Sequence, residues 1–335
     1  MTNFKITSAL NPAQWSSFVY EHPNGNVFQT PEMYKVYKNT KNYEPIFLAV
    51  INDKNEILGT LLAVIQKEYS GFLGNFTARS IIFGGPLIKN NDADILDFIL
   101  QEYNKIIRKK AIYSQFRNMW EWRDLKEIFI KNGFEYEEHL DIIHDLTLTQ
   151  EEMFEKMHKG RRKNIHRAIK NGLKFKEIKD KEELKNSLEL IKETYKKVKL
   201  PIPDYSFFLS IYDYMFKKKL VKFFAAKYNR QIISVRFVLI YNGLIYDWFA
   251  GTDESCLDKY PNDFLLWKVM EWGHENGYKI FQFGGAGKPN KPYGVRDYKL
   301  KFGGELVNYG RFEKVHKPLL MEMGKTGLKV WQKLK

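Results

Sequence analysis

The sequence WFAG at residues 248–251 is followed by FGGAG at 283–287 and by YKLKFGG at 298–304. The first motif ends a predicted strand, the second ends another strand in bare backbone, and the third carries Lys299. Between the first two motifs, Pro261 and Asp263 predict the start of a helix, because proline fits the first helical turn and a carboxylate suits the positive end of the helix dipole. This helix is apolar on almost every side, so we expect it in the core.

The glycine run at 284–287 follows directly after a predicted strand. Side chains cannot block access to backbone N–H groups at Gly284 and Gly285, so a ligand could lie against them. A tight turn explains the same residues equally well, since glycine favours turns. Both interpretations stay open at this point.

Length and composition predict a folded protein of two domains. The chain has 335 residues, of which 44% are hydrophobic and 16% aromatic, and this composition argues against a disordered chain. Its formal net charge is +14. Such an excess predicts an anionic partner, which could be a nucleic acid, a phosphorylated ligand or an acidic membrane surface.

Cysteine and histidine usage points to a cytoplasmic protein without a metal centre. Cys256 is the only cysteine, so no intrachain disulfide can form. No apolar run approaches the ~20 residues of a membrane span, and the first residues do not resemble a secretory signal. The histidines show no zinc-binding spacing. We expect no metal and no cofactor.

The predicted elements occur in the same order in both halves of the chain. Each half has two helices, then a hairpin and a further strand, then a helix, a strand, a second helix and a closing strand. The sequence therefore predicts an α/β (α+β) fold with two domains of mixed, mostly antiparallel sheets. We place the domains at 1–148 and 149–335.

A basic helix is predicted between the halves, within 159–172. Asn171 and Gly172 end it. A solvated linker helix would explain its lysines, but arginine pairs and a histidine suit phosphate contact better. The candidate anion-binding residues are Lys159, Arg161, Arg162, Lys163 and Arg167. The tail at 317–335 alternates apolar and lysine residues and could lie on an anionic bilayer, although packing against the second domain is an alternative.

Taken together, these motifs resemble the Fem family of non-ribosomal peptidyltransferases. Those proteins build peptidoglycan cross-bridges from aminoacyl-tRNA and comprise two tandem domains of the GNAT acyltransferase fold. The resemblance covers most of the chain and depends on the order and spacing of short motifs. These are VFQT at 27–30 followed by Lys35, the basic helix, WFAG at 248–251, the helix from Pro261 to FGG at 283–285, and YKLKFGG at 298–304.

The resemblance implies roles for individual residues. Lys299 resembles the lysine beside the reacting acyl group, where a fixed cation would stabilise the oxyanion of the transition state. Lys35 resembles a lysine that holds the acceptor. The other implied substrate-binding residues are Tyr205, Trp248, Phe249, Tyr298, Gly284 and Gly285. The sequence departs from the family before Tyr205, where some members carry a substrate-binding arginine and this chain has Pro201-Ile202-Pro203.

The implied activity is transfer of an amino acid from aminoacyl-tRNA to the peptide amine of a lipid-linked or nucleotide-linked muropeptide. We expect a cytoplasmic monomer, with peripheral contact to an anionic membrane. One alternative is an acyl-CoA-dependent N-acyltransferase acting on a sugar or small amine, although 252–260 lacks a glycine-rich pyrophosphate loop. Another is a non-catalytic protein that binds RNA or a membrane surface.

Overall fold

A computed structural model of the chain describes residues 4–323, leaving aside the side chains of residues 72 and 73. The strands, numbered along the chain, are β1 (Lys5–Thr7), β2 (Tyr43–Ile51), β3 (Ile57–Gln66), β4 (Arg79–Phe83), β5 (Leu87–Ile88), β6 (Tyr113–Arg117), β7 (Glu135–Glu137), β8 (Leu140–Asp145), β9 (Lys174–Glu177), β10 (Val221–Tyr228), β11 (Gln231–Tyr241), β12 (Leu244–Thr252), β13 (Ile280–Gly285), β14 (Glu305–Asn308) and β15 (Arg311–Val315). The helices are α1 (Pro12–Glu21), α2 (Pro31–Lys38), α3 (Ala93–Lys110), α4 (Lys126–Lys131), α5 (Gln150–Glu155), α6 (Lys159–Lys170), α7 (Lys181–Lys197), α8 (Tyr205–Ile211), α9 (Pro261–Glu275) and α10 (Gly294–Leu300).

The first unit contains residues 4–138, 205–210 and 309–323. Its sheet has the strand order β1-β2-β3-β4-β6-β15-β7, with β5 beside β3. Only β4 and β6 are parallel neighbours, and α3 connects them. One apolar face of α3 packs on β2 and β3, as its 3.6-residue periodicity predicts.

The second unit contains residues 139–204 and 211–308. Its sheet has the order β14-β8-β13-β12-β11-β10-β9, and only β12 and β13 are parallel neighbours. The connecting helix α9 starts at Pro261 and is buried along most of its length, so the predicted core helix is confirmed. Together the two sheets confirm the predicted α/β class with mixed, mostly antiparallel sheets.

Each sheet contains a strand from the other half of the chain. β15 lies between β6 and β7 in the first sheet, and β8 lies between β13 and β14 in the second. The boundary drawn from the sequence, between residues 148 and 149, therefore differs from the structure. Pairing between residues so far apart leaves no local sequence signal, whereas the short connection from β7 to β8 suggests that both belong to one domain.

The VFQT motif of the first unit has a structural role in its sheet. Gln29 is buried, and its amide Nε2 donates to the backbone oxygens of Leu62 and Phe83, while its Oε1 accepts from Leu62 N. The paired residues of β3 and β4 end at Val64 and Ile81, so the Gln29 amide bridges the two strands beyond that point. A buried backbone group without a partner is costly, and Gln29 removes that cost.

Candidate active site

The parallel strands of the second unit separate near their carboxyl ends. β12 and β13 pair from Leu244↔Ile280 to Tyr246↔Gln282, yet β12 continues to Thr252 and β13 to Gly285. In the first unit, the equivalent strands β4 and β6 stay paired to Phe83↔Arg117 at the end of both. The opening between parallel strands is therefore a feature of the second unit, and carboxyl ends of such strands are where α/β sheets commonly bind ligands.

A bulge at Trp248 bends β12 beside this opening. The register with β11 passes from Val238↔Asp247 directly to Phe237↔Phe249, which leaves Trp248 as the extra residue. Bulges next to functional sites redirect side chains. Phe249 is buried, and its ring lies 5.1 Å from that of Trp248 and 5.7 Å from that of Tyr195.

Gly284 must be glycine at the end of β13. Its φ of +66° lies in the left-handed region, and an added Cβ would lie 2.7 Å from the hydroxyl of Tyr246. The register of β13 with β8 also shifts between Gln282 and Gly285. The backbone at Gly284 therefore does require glycine, as one of the two interpretations of the sequence held. The interruption of regular pairing lies beside the backbone oxygens of Phe283 and Gly285.

Lys299 occupies two of these backbone oxygens. Its Nζ donates to Phe283 O at 2.8 Å and to Gly285 O at 3.1 Å. An ammonium has three N–H donors, so one remains for another acceptor. Burial lowers the pKa of Lys299 below its ordinary value, while the charges of Asp247 and Asp141 oppose that shift.

An ion pair near Lys299 has no counterpart among the residues singled out from the sequence. Arg236 on β11 donates through Nη1 to Asp247 Oδ2 on β12, and both side chains are nearly inaccessible. Within residues 4–323, Arg236 Nε and Asp247 Oδ1 are buried without a hydrogen-bond partner. The sequence signal for this ion pair was one charged residue within each of two apolar strands, because a charged side chain is rarely buried unless it is paired.

Tyr298 and Arg161 connect α10, α6 and α9. The Tyr298 hydroxyl donates to Asp263 Oδ1 at 3.1 Å, and the guanidinium of Arg161 lies 4.5 Å from the Tyr298 ring centre. Burial, with Asp263 nearby, raises the pKa of Tyr298. Asn164 also donates to Asp263, at 2.7 Å. The sequence suggested an anion-binding role for Arg161, whereas in the structure its guanidinium is bonded to the buried carboxylate of Asp263.

The structure groups most, but not all, of the residues singled out from the sequence. The second unit holds Trp248, Phe249, Gly284, Gly285, Tyr298 and Lys299, together with the whole basic helix. Lys35 and Tyr205 belong to the first unit. Lys35 is exposed on α2, and Tyr205, 44% exposed, begins α8. That helix contacts the residues that follow α2, since Ser206 Oγ accepts from Lys41 N and Ser210 Oγ donates to Asn39 O.

Some expectations concern absences or lie outside the described part of the chain. In residues 4–323, no helix has both the length and the apolarity needed to cross a bilayer. The same residues contain no group of three or more histidine, cysteine or acidic side chains placed to hold a metal ion. Most of the basic tail expected to touch either a membrane or the second domain lies beyond residue 323, outside the described residues.

Comparison with known protein families agrees with this geometry. Residues 10–147 match the profile of the FemAB family, and residues 159–300 match that of the acetyltransferase (GNAT) domain. The chain is a Fem-like tandem GNAT protein. A comparison with curated proteins found no match. The resemblance drawn from the sequence motifs is confirmed, and both domains make this Fem-like protein an acyltransferase.

Solved structures share the fold of the Fem-like protein over nearly its whole length. The FemX crystal structure is 16% identical, with a TM-score of 0.74, and the match covers 95% of this chain and 99% of that one. The C-terminal domain of a putative lysylphosphatidylglycerol synthetase from Agrobacterium fabrum is 12% identical, with a TM-score of 0.60 and 95% coverage of both chains. A tandem GNAT protein from the clavulanic acid biosynthesis pathway is 9% identical, with a TM-score of 0.57 and coverage of 94% and 99%.

Proposed function

We propose that this Fem-like protein transfers an amino acid from aminoacyl-tRNA to the peptide amine of a peptidoglycan precursor. The match to the FemAB family supports the reaction class. The observation that carries the proposal is the position of Lys299, whose Nζ is fixed by Phe283 O and Gly285 O at the opening between β12 and β13.

The reaction forms an amide and releases the tRNA. The neutral acceptor amine attacks the carbonyl carbon of the aminoacyl ester, which forms the C–N bond and a tetrahedral oxyanion. The remaining N–H of Lys299 donates to that oxyanion, and this bond is stronger in the transition state than to the ground-state carbonyl. The C–O bond then breaks, and the proton lost by the amine ends on the ribose oxygen of the tRNA.

The first turn of α9 favours aminoacyl-tRNA over acyl-CoA as the donor. A helix N-terminus after the central strand is a natural place for the CoA pyrophosphate, because its N–H groups and dipole attract anions. In this chain Asp263 occupies the first turn of α9 and is buried. Its carboxylate is bonded there to Arg161, Asn164 and Tyr298, and these side chains, packed against the first turn, leave less room for a pyrophosphate.

The acceptor side of the proposal uses residues of the first unit. Lys35 and Tyr205 are exposed and are proposed to bind a lipid-linked or nucleotide-linked muropeptide. The ammonium of Lys35 would attract the phosphates that join such a peptide to its lipid or nucleotide. We propose that the protein works as a monomer in the cytoplasm, where charged tRNA is available, and meets the anionic membrane surface only peripherally.

The test is a transfer assay with purified protein. A mixture of tRNAs charged with labelled amino acids is supplied with a nucleotide-linked or lipid-linked muropeptide, and mass spectrometry identifies the product. We expect one added amino acid on the peptide amine and a matching release of uncharged tRNA. Turnover of acetyl-CoA with a sugar or small amine, without any dependence on tRNA, would instead establish the acyl-CoA reaction that the GNAT domain match also permits.

A further inference from the structure

One face of α6 carries a continuous row of lysine, arginine and histidine side chains. Together with Phe154 of α5, they line a shallow groove of about 500 Å³. We name as the basic groove the side chains of Lys159, Arg162, Lys163, His166, Arg167 and Lys170, with Phe154 in its wall. Their spacing of three and four residues places them on one side of the helix, over a length of about 16 Å.

The opposite face of α6 fixes the helix to the second unit. Ile165 and Ala168 are buried, and Arg161 and Asn164 bind Asp263. Because these contacts hold the helix from behind, the basic groove keeps its outward direction without help from its own charges. The groove is therefore a preformed surface, which lowers the entropy lost when a ligand binds.

Within residues 4–323, the lysines and arginines of the groove have no carboxylate partner. Among the residues that the structure describes, no carboxylate forms an ion pair with Lys159, Arg162, Lys163, Arg167 or Lys170. The lysine-rich helix α7 is different, because Lys185 pairs with Glu182 and Lys192 with Glu189. Unpaired cations in one row repel one another, and a polyanion would relieve that repulsion.

An aromatic wall distinguishes this groove from a simple cationic patch. The half-buried ring of Phe154 lies 5.2 Å from the ring of His166 and 5.1 Å from that of Trp267. Arg167 is held at the other side by the hydroxyl of Tyr260, at 3.0 Å. Cations beside an aromatic face are the combination that binds single-stranded nucleic acid, because phosphates pair with the cations while a base stacks on the ring.

The groove is joined to the site of Lys299 by direct contacts within the second unit. His158, immediately before α6, donates its backbone N–H to Lys301 O at 2.9 Å, and Arg161 stacks on Tyr298. Arg162 and Lys299 are the chain neighbours of these stacked residues. An extended ligand that follows the groove from Lys170 to Lys159 therefore runs toward α10.

We propose that the basic groove binds a single-stranded segment of RNA, with its phosphates on the cations and one base against Phe154. The inference rests on the proposed function, in which the donor is a tRNA whose aminoacyl end is single-stranded. A bilayer is the weaker partner for this surface. Ile169 is the exposed apolar side chain of α6, and one such residue gives little insertion into lipid.

The proposal is tested by fluorescence anisotropy with a labelled single-stranded RNA oligonucleotide over a range of salt concentrations. Each lost phosphate contact should reduce the slope of log affinity against log salt by about 0.7. We expect the double variant Arg162→Ala/Lys163→Ala to flatten the slope by about 1.4. Phe154→Leu should keep the slope, weaken binding about tenfold, and abolish the preference for the oligonucleotide over its abasic form.

The matched control is the double variant Lys185→Ala/Lys192→Ala on α7, which should bind RNA as the wild type does. Groove variants that bind like this control would overturn the proposal. So would groove variants that lose binding only to vesicles of anionic phospholipid, since the partner would then be a membrane. Melting temperatures of all variants exclude unfolding as the cause.

Failure of the groove and failure of the proposed function give different results. If wild type transfers amino acids from aminoacyl-tRNA and Arg162→Ala/Lys163→Ala keeps the same KM for that donor, the groove is not the RNA site and the function stands. If RNA binding depends on the groove but no aminoacyl transfer occurs, the RNA-binding proposal is retained and the proposed function is rejected.

Discussion

Arg161 donates through Nη1 to both carboxylate oxygens of Asp263, at 2.8 Å each. The Asp263 side chain is only 5% exposed and that of Arg161 20%. This pair joins the basic helix α6 to the core helix α9, and Tyr298 of α10 adds a third bond to the same carboxylate. Three helices of the second unit therefore share one buried anion.

Replacing Arg161 by alanine should lower the free energy of unfolding of the second unit by about 3 kcal/mol, because a buried carboxylate is left without its charge partner. Urea unfolding followed by tryptophan fluorescence measures this loss. Arg162→Ala is the control, since that residue has no carboxylate partner in residues 4–323 and should change stability by less than ~0.5 kcal/mol. Equal effects of the two variants would show that the pair with Asp263 is not what fixes α6.

Lys299→Ala should reduce kcat of aminoacyl transfer by about 10²- to 10³-fold with a small change in KM, because the lost hydrogen bond acts mainly in the transition state. Steady-state kinetics with aminoacyl-tRNA measures the effect. Lys301→Ala is the control, since Lys301 is exposed two residues away and should be neutral. Full activity of Lys299→Ala would remove the lysine from the mechanism.

The pH dependence of transfer should reveal the protonation state of Lys299. Burial lowers its pKa below the ordinary lysine value of about 10.4, and the ammonium is the form that donates to the oxyanion. The rate should therefore fall at alkaline pH as the lysine loses its proton. Lys299→Arg keeps its charge and should show no such fall, even if its rate is lower. An alkaline fall of the same shape in both proteins would assign it to another group.

The same pKa shift predicts how stability changes with pH. Between the lowered folded pKa and the ordinary unfolded pKa, the unfolded chain binds more protons at this residue, so stability rises with pH across that window. Lys299→Met has no such group and should lose this increment. Urea unfolding of both proteins at a series of alkaline pH values gives the difference, and parallel curves would contradict the burial of the ammonium.

Gly284→Ala should impair transfer more than its cost in stability explains. The alanine must adopt a left-handed backbone conformation, and its Cβ collides with the Tyr246 hydroxyl. The carbonyls that hold Lys299 should therefore shift. Gly277→Ala is the control, because Gly277 has a φ of +74° but nothing within 4 Å of an added Cβ. Both variants should lose about 1–2 kcal/mol of stability. Comparable loss of kcat in both would mean that backbone strain alone is responsible.

Local patterns were sufficient to predict most elements of the fold. The hairpin turn at 52–55 and the apolar helix from Pro261 are encoded by neighbouring residues, and the structure has both. The placement of β8 and β15 could not be predicted in this way. Their partners lie in the other half of the chain, and the sequence carries no local record of which sheet a short strand joins.

The residues of the candidate site could be singled out from the sequence, but the contacts between them could not. Lys299 lies in a short, polar segment whose sequence is typical of a surface lysine, and only the folded chain brings its half-buried side chain to the carbonyls of β13. Conversely, Arg161 looked like one more cation of a basic helix. Its partner Asp263 is on a helix far along the chain, so the pairing has no local sequence signature.

The placement of β15 also affects the order in which the protein can fold during its synthesis. β7 is bonded to the first sheet through β15, and Phe312 of β15 is fully buried against Phe129, with the two rings stacked at 4.0 Å. Because β15 follows the second unit along the chain, the ribosome completes the first unit after the second. The amino-terminal strands of this unit are made before the second unit is translated, and their sheet is completed only afterwards. A nascent chain that ends at residue 308 therefore exposes the edge of β6 and leaves β7 without its strand partner.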